Sequence, residues 1–168
     1  MVTTIKRCQI PAEQPLILAI INQAAVAYRG VIPRDCWHEP YMTTAELERE
    51  ITGGVVFWAC WAAGNMVGVM GCQSRGTVDL IRHAYVQPAW QHRGIGRQLL
   101  TAAESQIAGP LLVGTWAAAT WAIDFYQRNG FQMLTQAEKD VLLRRYWLIP
   151  EQQMANSVVL AKGYSAAA

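Results

Sequence analysis

The order of apolar and polar residues along the chain predicts a mixed α/β protein in which strands and helices alternate. Runs with strand-like alternation or continuous apolar character are separated by runs in which the apolar positions have helical spacing. The predicted strands cover residues 3–9, 55–62, 66–74, 78–86, 111–115, 131–134 and 157–161. The predicted helices cover residues 12–28, 45–52, 95–107 and 120–129, and residues 139–149 predict a further helix that ends before Pro150.

Residues that favour caps and turns mark the ends of these elements. Thr44 is placed to cap the second helix, and the glycine pair at residues 53–54 ends it. The turn at residues 63–65 joins two strands into a hairpin. Thr120 is placed to cap a later helix, which Gly130 ends in a left-handed conformation.

The strand at residues 78–86 carries different side chains on its two faces, because successive residues of a strand point in opposite directions. One face carries Ile81, His83 and Tyr85. The other face carries Leu80, Arg82, Ala84 and Val86. We therefore expect His83 to share a face with Ile81 and not with Arg82.

Length and composition predict one domain over residues 1–168, since no linker-like stretch divides the chain and 52% of its residues are hydrophobic. No apolar run approaches the length of a membrane span, and polar residues interrupt the amphipathic helix at residues 16–27, so neither a signal peptide nor a membrane partner is expected. The net charge of +2 is too small and too evenly spread to predict nucleic-acid binding.

The cysteines show no Cys-x-x-Cys spacing, which favours a reduced, cytoplasmic chain. Three of them lie in strand-like segments and are expected as core thiols, namely Cys8, Cys60 and Cys72. Cys36 and His38 lie two residues apart, but one such pair without a second ligand pair does not make a metal site. No metal is therefore predicted.

A glycine-bearing turn follows the strand that ends at Val86 and opens the next helix. Its sequence from residue 91 is Gln-His-Arg-Gly-Ile-Gly-Arg. Gly94 and Gly96 let a ligand approach the backbone, while the first amides of a helix have no intrahelical partner and favour an anion. Arg93 and Arg97 add positive charge. The turn is therefore a candidate phosphate site.

Two common phosphate motifs are excluded at this turn. Leu99 stands where the dinucleotide fingerprint needs its third glycine, and the P-loop's Gly-Lys-Ser/Thr is replaced by Gly-Arg-Gln. The remaining pattern, Gln91-x-x-Gly94-x-Gly96 after a Val-x-Pro step, resembles the acetyl-CoA pyrophosphate loop of the GNAT superfamily of N-acetyltransferases.

The resemblance implies both a fold and a cosubstrate. The fold is α/β (α+β), with a central mixed, mostly antiparallel sheet of about six to seven strands flanked by about four helices, and the predicted order of elements matches the family's over nearly the whole chain. The cosubstrate is acetyl-CoA, with no metal. Cofactor contacts then fall on Tyr85, Val86, Gln91, His92, Arg93, Gly94, Ile95, Gly96, Arg97, Phe125 and Arg128.

A second motif, Phe-Tyr-x-x-x-Gly-Phe at residues 125–131, strengthens the resemblance. Tyr126 resembles the family's tyrosine, which commonly hydrogen-bonds and protonates the departing CoA sulfur. The alternative is an ordinary core tyrosine at helical spacing from Ala122 and Phe125. Many family members carry asparagine seven residues earlier, where this chain has Ala119, so a side-chain contact to the cofactor from that position is in doubt.

Phenol chemistry limits what Tyr126 can do. A tyrosine with a reference pKa of about 10 is a weaker acid than a thiol at about 8.5, so full proton transfer to sulfur is uphill by about 2 kcal/mol. Tyr126 is then expected to donate a hydrogen bond to the developing thiolate, unless the site lowers the pKa of its phenol.

His83 is the candidate base. Family members often take the acceptor's proton with a glutamate on this strand or through ordered water, and that position falls near Leu80. With a reference pKa of about 6.5, a histidine can serve as a base near neutrality, directly or through water. The alternative is a histidine hydrogen-bonded within the sheet, and His92 is expected to touch solvent or phosphate.

The resemblance implies an N-acetyltransferase in which a neutral amine attacks the thioester directly, with no acetyl-enzyme. The acceptor is a small-molecule or peptide amine, and residues 34–41 and 139–150 are candidate walls of its pocket, with surface elements pinned by a buried tryptophan as the alternative. A homodimer is possible.

Two other classes of function stay open. One is an acyl-CoA-binding sensor or structural subunit without catalysis, and the other is a protein-binding module with exposed tryptophans.

Overall fold

The protein is described by a computed structural model, which covers residues 2–166. Seven strands form one sheet. They are β1 (Thr3–Arg7), β2 (Val56–Ala62), β3 (Asn65–Ser74), β4 (Asp79–Val86), β5 (Leu111–Trp116), β6 (Gln132–Met133) and β7 (Ser157–Lys162). The helices within this part of the chain are α1 (Gln14–Ala25), α2 (Thr44–Thr52), α3 (Ile95–Glu104), α4 (Thr120–Arg128), α5 (Gln136–Tyr146) and α6 (Glu151–Ala155).

The strands are arranged in the order β1-β2-β3-β4-β5-β7-β6. Neighbouring strands are antiparallel except for β4 and β5, which run parallel. The predicted mixed, mostly antiparallel sheet is thus confirmed, including the pairing of the last two predicted strands. The helix count exceeds the expected four because the segment after β6 forms both α5 and the short α6.

Several predicted helix boundaries are wrong by a few residues. The N-cap of α2 is Thr43 and not Thr44: its hydroxyl accepts from the backbone N–H of Glu46, while the Glu46 carboxylate accepts from the Thr43 N–H at 2.7 Å. Thr120 is the first residue of α4 and makes no capping hydrogen bond. The first helix ends at Ala25 and continues as a short 3-10 turn to Tyr28. Gly130 follows α4 with φ of +89°, as predicted.

Apolar side chains cover both faces of the sheet. On one face, α3 and α4 pack against the sheet through residues such as Leu99, Leu100 and Tyr126. On the other face, α1 and α2 cover the half with β2 and β3, while α5 covers the half with β5 and β7. The chain therefore buries a core on each side of one sheet.

A β-bulge in β4 breaks the predicted alternation of its side chains. Gly71 of β3 pairs with Arg82 while Val69 pairs with Tyr85, so β4 has one extra residue between these pairs. His83 takes a positive φ of +54° there. The expectation that His83 shares a face with Ile81 is wrong, because both Arg82 and His83 contact Glu50 on α2.

The two central strands separate halfway along their length. Pairing between β4 and β5 ends at the pair Ile81 and Val113. Beyond that point β4 stays paired to β3 as far as Val86, and β5 stays paired to β7 as far as Trp116. The strands therefore enclose a gap in the middle of the sheet.

Cys8 and Cys60 are buried and Cys72 is half-buried, in agreement with the expected core thiols. Among residues 2–166, no helix is both long and apolar enough to cross a membrane. The same residues contain no cluster of three metal-ligating side chains.

Candidate active site

The gap between β4 and β5 is a cleft of about 150 Å³. Its walls come from both strands, the 3-10 turn after α1, α4, α5 and the segment that follows α5. Aromatic side chains make up much of the lining: Tyr28, Tyr41, Tyr85, Trp116, Tyr126 and Trp147. Arg82 and His83 are the charged or titratable residues other than tyrosine that line it, and no carboxylate does so within the described residues.

The glycine turn lies at the end of β4 and leads into α3. His92 and Gly94 both have positive φ, of +60° and +76°. The first backbone hydrogen bond of α3 runs from the N–H of Gln98 to the carbonyl of Gly94 at 3.1 Å. Across residues 2–166, the amides of residues 92–97 find no backbone acceptor. Six consecutive N–H groups are therefore free to bind a ligand.

Gly96 lets α3 approach α4 closely. A Cβ at this position would lie 3.2 Å from the ring of Phe125. Since Phe125 precedes Tyr126 on α4, this contact fixes the start of α3 relative to the helix that carries the candidate acid. A larger residue would push these two parts of the site apart.

Side chains of the turn hold it in place and add charge. Gln91 donates from Nε2 to the carbonyl of Val86 at 3.2 Å, which ties the turn to the end of β4. The guanidinium of Arg93 lies 5.0 Å from the ring centroid of Trp90. Arg97 and Arg128 are exposed at the start of α3 and the end of α4.

Two predicted cofactor residues have side chains that point elsewhere. Ile95 is 2% exposed and packs in the core under α3, so its backbone amide is the part available to a ligand. The Tyr85 side chain packs with the α1 and α2 face of the sheet, on the side opposite α3.

The residues present fit a phosphate-bearing ligand such as CoA. Free amides, a helix N-terminus and two arginines together suit a pyrophosphate, because donors and positive charge converge on one turn. The space beside Gly94 is open, since no atom lies within 4 Å of the place that a Cβ would occupy. A ligand can therefore approach the backbone of the turn there.

Tyr126 lies on α4, where it is 5% exposed and lines the cleft. Its ring makes edge contacts with Phe125 and Phe131, whose centroids lie 5.1 and 5.3 Å away. Burial raises the pKa of Tyr126, with smaller contributions from Tyr28 and Cys72, so the phenol stays protonated. The site therefore does not lower its pKa, and a hydrogen-bond donor is the role left open to it.

Ala119 is fully buried beside Ile32 and Trp116. The position where many family members have asparagine is thus part of a small apolar cluster at the start of α4. No polar side chain reaches the cofactor side from this point.

Three tyrosine side chains lie together on the other side of the cleft, with the ring centroid of Tyr28 5.5 Å from that of Tyr41 and 6.3 Å from that of Tyr85. Tyr85 interacts with both Tyr28 and Tyr41, and Trp116 donates to the Tyr41 hydroxyl at 3.1 Å. Burial raises the pKa of Tyr28 to about 12 and also raises the pKa of Tyr41 and Tyr85. All three are therefore neutral polar groups near pH 7.

His83 lines the cleft at the bulge, beside Tyr85. Its Nε2 lies 3.1 Å from Oε2 of Glu50, and its ring stacks on Phe57 with centroids 6.3 Å apart. The candidate base thus lies in the same cleft as Tyr126, while the exposed His92 lies at the turn.

The sequence did not identify Glu50, Tyr28 or the tyrosine cluster as parts of this site. Glu50 lies on a helix rich in charged residues, which by itself predicts a solvent-exposed position. Its partner His83 is 33 positions further along the chain, so no local sequence pattern identifies the pair. Of the two predicted pocket walls, residues 34–41 contribute Tyr41, and residues 139–150 contribute Leu143, Trp147 and Ile149.

The family model described as an acetyltransferase (GNAT) domain matches residues 19–141. The fold is similar to that of the PaiA N-acetyltransferase from Thermoplasma acidophilum in complex with coenzyme A, with a TM-score of 0.72, 16% identity and coverage of 98% of this chain and 100% of that one.

Two further solved structures are similar. The ribosomal-protein-S18-alanine N-acetyltransferase from Escherichia coli gives a TM-score of 0.70 at 17% identity, over 99% of this chain and 97% of that one. The N-acetylglutamate synthase from Neisseria gonorrhoeae, complexed with coenzyme A and N-acetyl-glutamate, gives 0.65 at 19% identity, over 96% of this chain and 35% of that one. No curated protein sequence matches the chain.

Proposed function

This chain belongs to the GNAT acetyltransferase family, and from that premise we propose that it transfers an acetyl group from acetyl-CoA to a primary amine. Support for the donor comes from the free amides of the glycine turn and from two similar folds whose structures contain coenzyme A. We assign a reaction within one ternary complex, because Tyr126 and His83 line the same cleft.

The observation that carries the proposal is the meeting of three features at one gap in the sheet. The glycine turn begins where β4 ends, Gly96 contacts the helix of Tyr126, and Tyr126 lines the cleft between β4 and β5. These features come from separate segments. Their convergence orients two reactants, which is worth several orders of magnitude in rate.

In this proposal the glycine turn binds acetyl-CoA and orients it. Amides of residues 92–97 and the side chains of Arg93 and Arg97 hold the pyrophosphate in this proposal, and the Phe125 ring lies against Gly96 of the same turn. We assign Arg128, at the end of α4, as a further cofactor contact. Acetyl-CoA, when bound, supplies an activated thioester. Backbone groups on the edge of β4 beyond Ile81 have lost their β5 partner, and we assign polarisation of the thioester carbonyl to an amide near Val86.

Tyr126 donates a hydrogen bond to the sulfur as negative charge develops there. Because burial keeps the phenol protonated, the donor is present across the neutral pH range. The stabilisation is largest when the sulfur carries the most charge, so Tyr126 acts on the transition state more than on the ground state.

His83 removes the proton that an amine must lose to complete the transfer, directly or through one water. We place the acceptor beside His83 in this cleft, whose lining includes Tyr41 and Trp147. Both a small amine and the end of a peptide fit this description.

The test is release of CoA thiol from acetyl-CoA across a panel of amino acids, small amines, aminoglycosides, polyamines and peptides. We expect turnover with one acceptor class. The matched control is Gly96→Leu, whose side chain would displace Phe125 and weaken acetyl-CoA binding. No thiol release with any acceptor, together with intact acetyl-CoA binding, would favour the sensor function. No thiol release and no acetyl-CoA binding would contradict the proposal.

A further inference from the structure

A series of partly buried polar side chains runs beneath the bulge of β4. Gln73 of β3 donates to the carbonyl of Gly53 at 2.7 Å and accepts from Arg82 at 3.0 Å. Arg82 in turn donates to Oε1 of Glu50 at 3.0 Å and lies 2.9 Å from Oε2. The last side chain of this series is His83, whose Nε2 is 3.1 Å from Glu50 Oε2. The series links the end of α2 to the wall of the cleft.

The bulge is what makes this contact possible. Regular alternation would place His83 on the α3 face of the sheet, away from α2. The extra residue and the φ of +54° turn its side chain toward Glu50 instead. A non-glycine residue with positive φ costs free energy, so the surrounding contacts must hold His83 in this conformation.

The two nitrogens of His83 have different surroundings. Nε2 is buried, and although Glu50 Oε2 is within hydrogen-bond distance, neither atom has a partner with regular hydrogen-bond geometry in residues 2–166. Nδ1 has no hydrogen bond there either, but it is not among the fully buried atoms. A carboxylate beside Nε2 favours the proton on that nitrogen, which leaves the Nδ1 lone pair free.

The charges around His83 favour this arrangement. Burial by itself would raise the pKa of Glu50, but the neighbouring His83, Arg82 and Arg75 outweigh it and hold that pKa below its usual value. The other groups facing His83 are the phenols of Tyr28, Tyr41 and Tyr85, which are neutral. Among the residues that the structure describes, Glu50 is therefore the one anion beside the imidazole.

We propose that Glu50 is a positioning residue that orients His83 through Nε2 and stabilises its protonated form, so that Nδ1 accepts the proton of the acceptor amine. Glu50 does not line the cleft, so it acts through His83. This inference rests on the proposed acetyl transfer and adds to it a carboxylate from α2.

The proton and electron balance is complete without a further reactant. The acceptor nitrogen gives one proton to Nδ1 of His83 and uses its electron pair to form the C–N bond. The C–S bond breaks, and its electron pair leaves on sulfur, which accepts a hydrogen bond from Tyr126. His83 then returns its proton to solvent.

The first arm of the test is the pH profile of kcat/KM for wild type, Glu50→Gln and Glu50→Asp, using the acceptor found in the panel. Loss of the carboxylate removes the anion beside the base, so we expect the acid limb of the Glu50→Gln profile to move to lower pH and kcat to fall roughly 10-fold. KM for acetyl-CoA should not change. Glu50→Asp should restore part of the shift, and Glu48→Gln, on the exposed part of α2, should leave the profile unchanged.

A merely structural role for Glu50 predicts a different result. Lower stability would scale the whole profile down without moving its acid limb, so an unmoved limb in Glu50→Gln overturns the proposal. Thermal unfolding of each variant identifies any that fails to fold, and Glu50→Asp then serves as the variant that decides.

The second arm does not need turnover. The chain has three histidines, and long-range ¹⁵N–¹H spectra, with His83→Asn to assign the signal, report which nitrogen carries the proton. We expect the Nε2–H form for neutral His83 in wild type and a mixture in Glu50→Gln. A proton on Nδ1 in wild type, or identical spectra for the two proteins, overturns the proposal even if no acceptor is found. Lack of turnover with the expected spectra instead contradicts the proposed function alone.

Discussion

The two sides of the cleft are built in different ways. The cofactor side is a single stretch, residues 91–97, whose glycines, free amides and arginines are consecutive in the sequence. The acceptor side takes Tyr28 from the turn after α1, Tyr41 from a loop, Glu50 from α2, His83 from a bulge and Trp147 from the end of α5.

The difference shows how binding and chemistry are distributed in this fold. Backbone groups at one turn bind the feature that all CoA thioesters share, and so need few side chains. Side chains from four segments form the wall that meets the acceptor, and Glu50 from a fifth segment contacts His83 from behind that wall. A change on the cofactor side should therefore affect every acceptor equally, while a change on the acceptor side should depend on which acceptor is used.

The largest effect should come from Tyr126→Phe, which removes the donor between the two sides. We expect kcat to fall by about 100-fold with little change in acetyl-CoA affinity, because the ring contacts with Phe125 and Phe131 remain. The measurement is kcat by thiol release together with Kd by calorimetry. Tyr146→Phe is the control, since its hydroxyl pairs with Thr77 at 3.3 Å outside the cleft. Equal losses of affinity and turnover would contradict the assigned role.

A smaller effect should follow from Gly94→Ala on the cofactor side. The backbone there has φ of +76°, which alanine adopts at a cost, so the turn should relax and acetyl-CoA affinity should fall roughly 10-fold with every acceptor. Gly64→Ala is a matched control, because Gly64 has φ of +79° and equally open surroundings in the β2–β3 hairpin. Both variants should lose similar thermal stability. If both also lost affinity, the turn would have no special part in binding.

Tyr41→Phe should have a still smaller effect, confined to the acceptor side. The Trp116 Nε1–H loses its acceptor, so we expect a loss of about 1–2 kcal/mol in the free energy of unfolding. KM should rise a few-fold for the acceptor and stay constant for acetyl-CoA. Chemical denaturation and steady-state kinetics measure the two effects. A change in acetyl-CoA affinity would show that the two sides are not independent.

The smallest effect should be on how the stability of the fold depends on pH when Glu50 is replaced by glutamine. The pKa of Glu50 is lowered in the fold, since His83, Arg82 and Arg75 outweigh the burial that would raise it. A lowered pKa contributes stability above the unfolded value near 4.5, and this contribution is lost as pH falls through the folded value. We expect the stability gap between wild type and Glu50→Gln, measured by urea denaturation, to narrow from pH 7 to pH 3.5. A constant gap would mean that the Glu50 charge does not stabilise the fold.

The sequence alone determined the features that depend on a few consecutive residues. The order of strands and helices follows from the periodicity of apolar positions, and the glycine turn follows from residues 91–97. Gly130 ends α4 as expected, because a residue without Cβ adopts positive φ at little cost. These signals are local, and each needs only the chemistry of the backbone nearby.

The tertiary structure alone decided the acceptor side. The bulge in β4 arises from the pairing with β3, where Gly71 leaves room for the Arg82 carbonyl 2.6 Å from the place a Cβ would occupy. That pairing turns His83 to Glu50, 33 positions earlier in the chain. No pattern along the sequence encodes such a contact, because its energy depends on which elements pack together and not on the residues next to either partner.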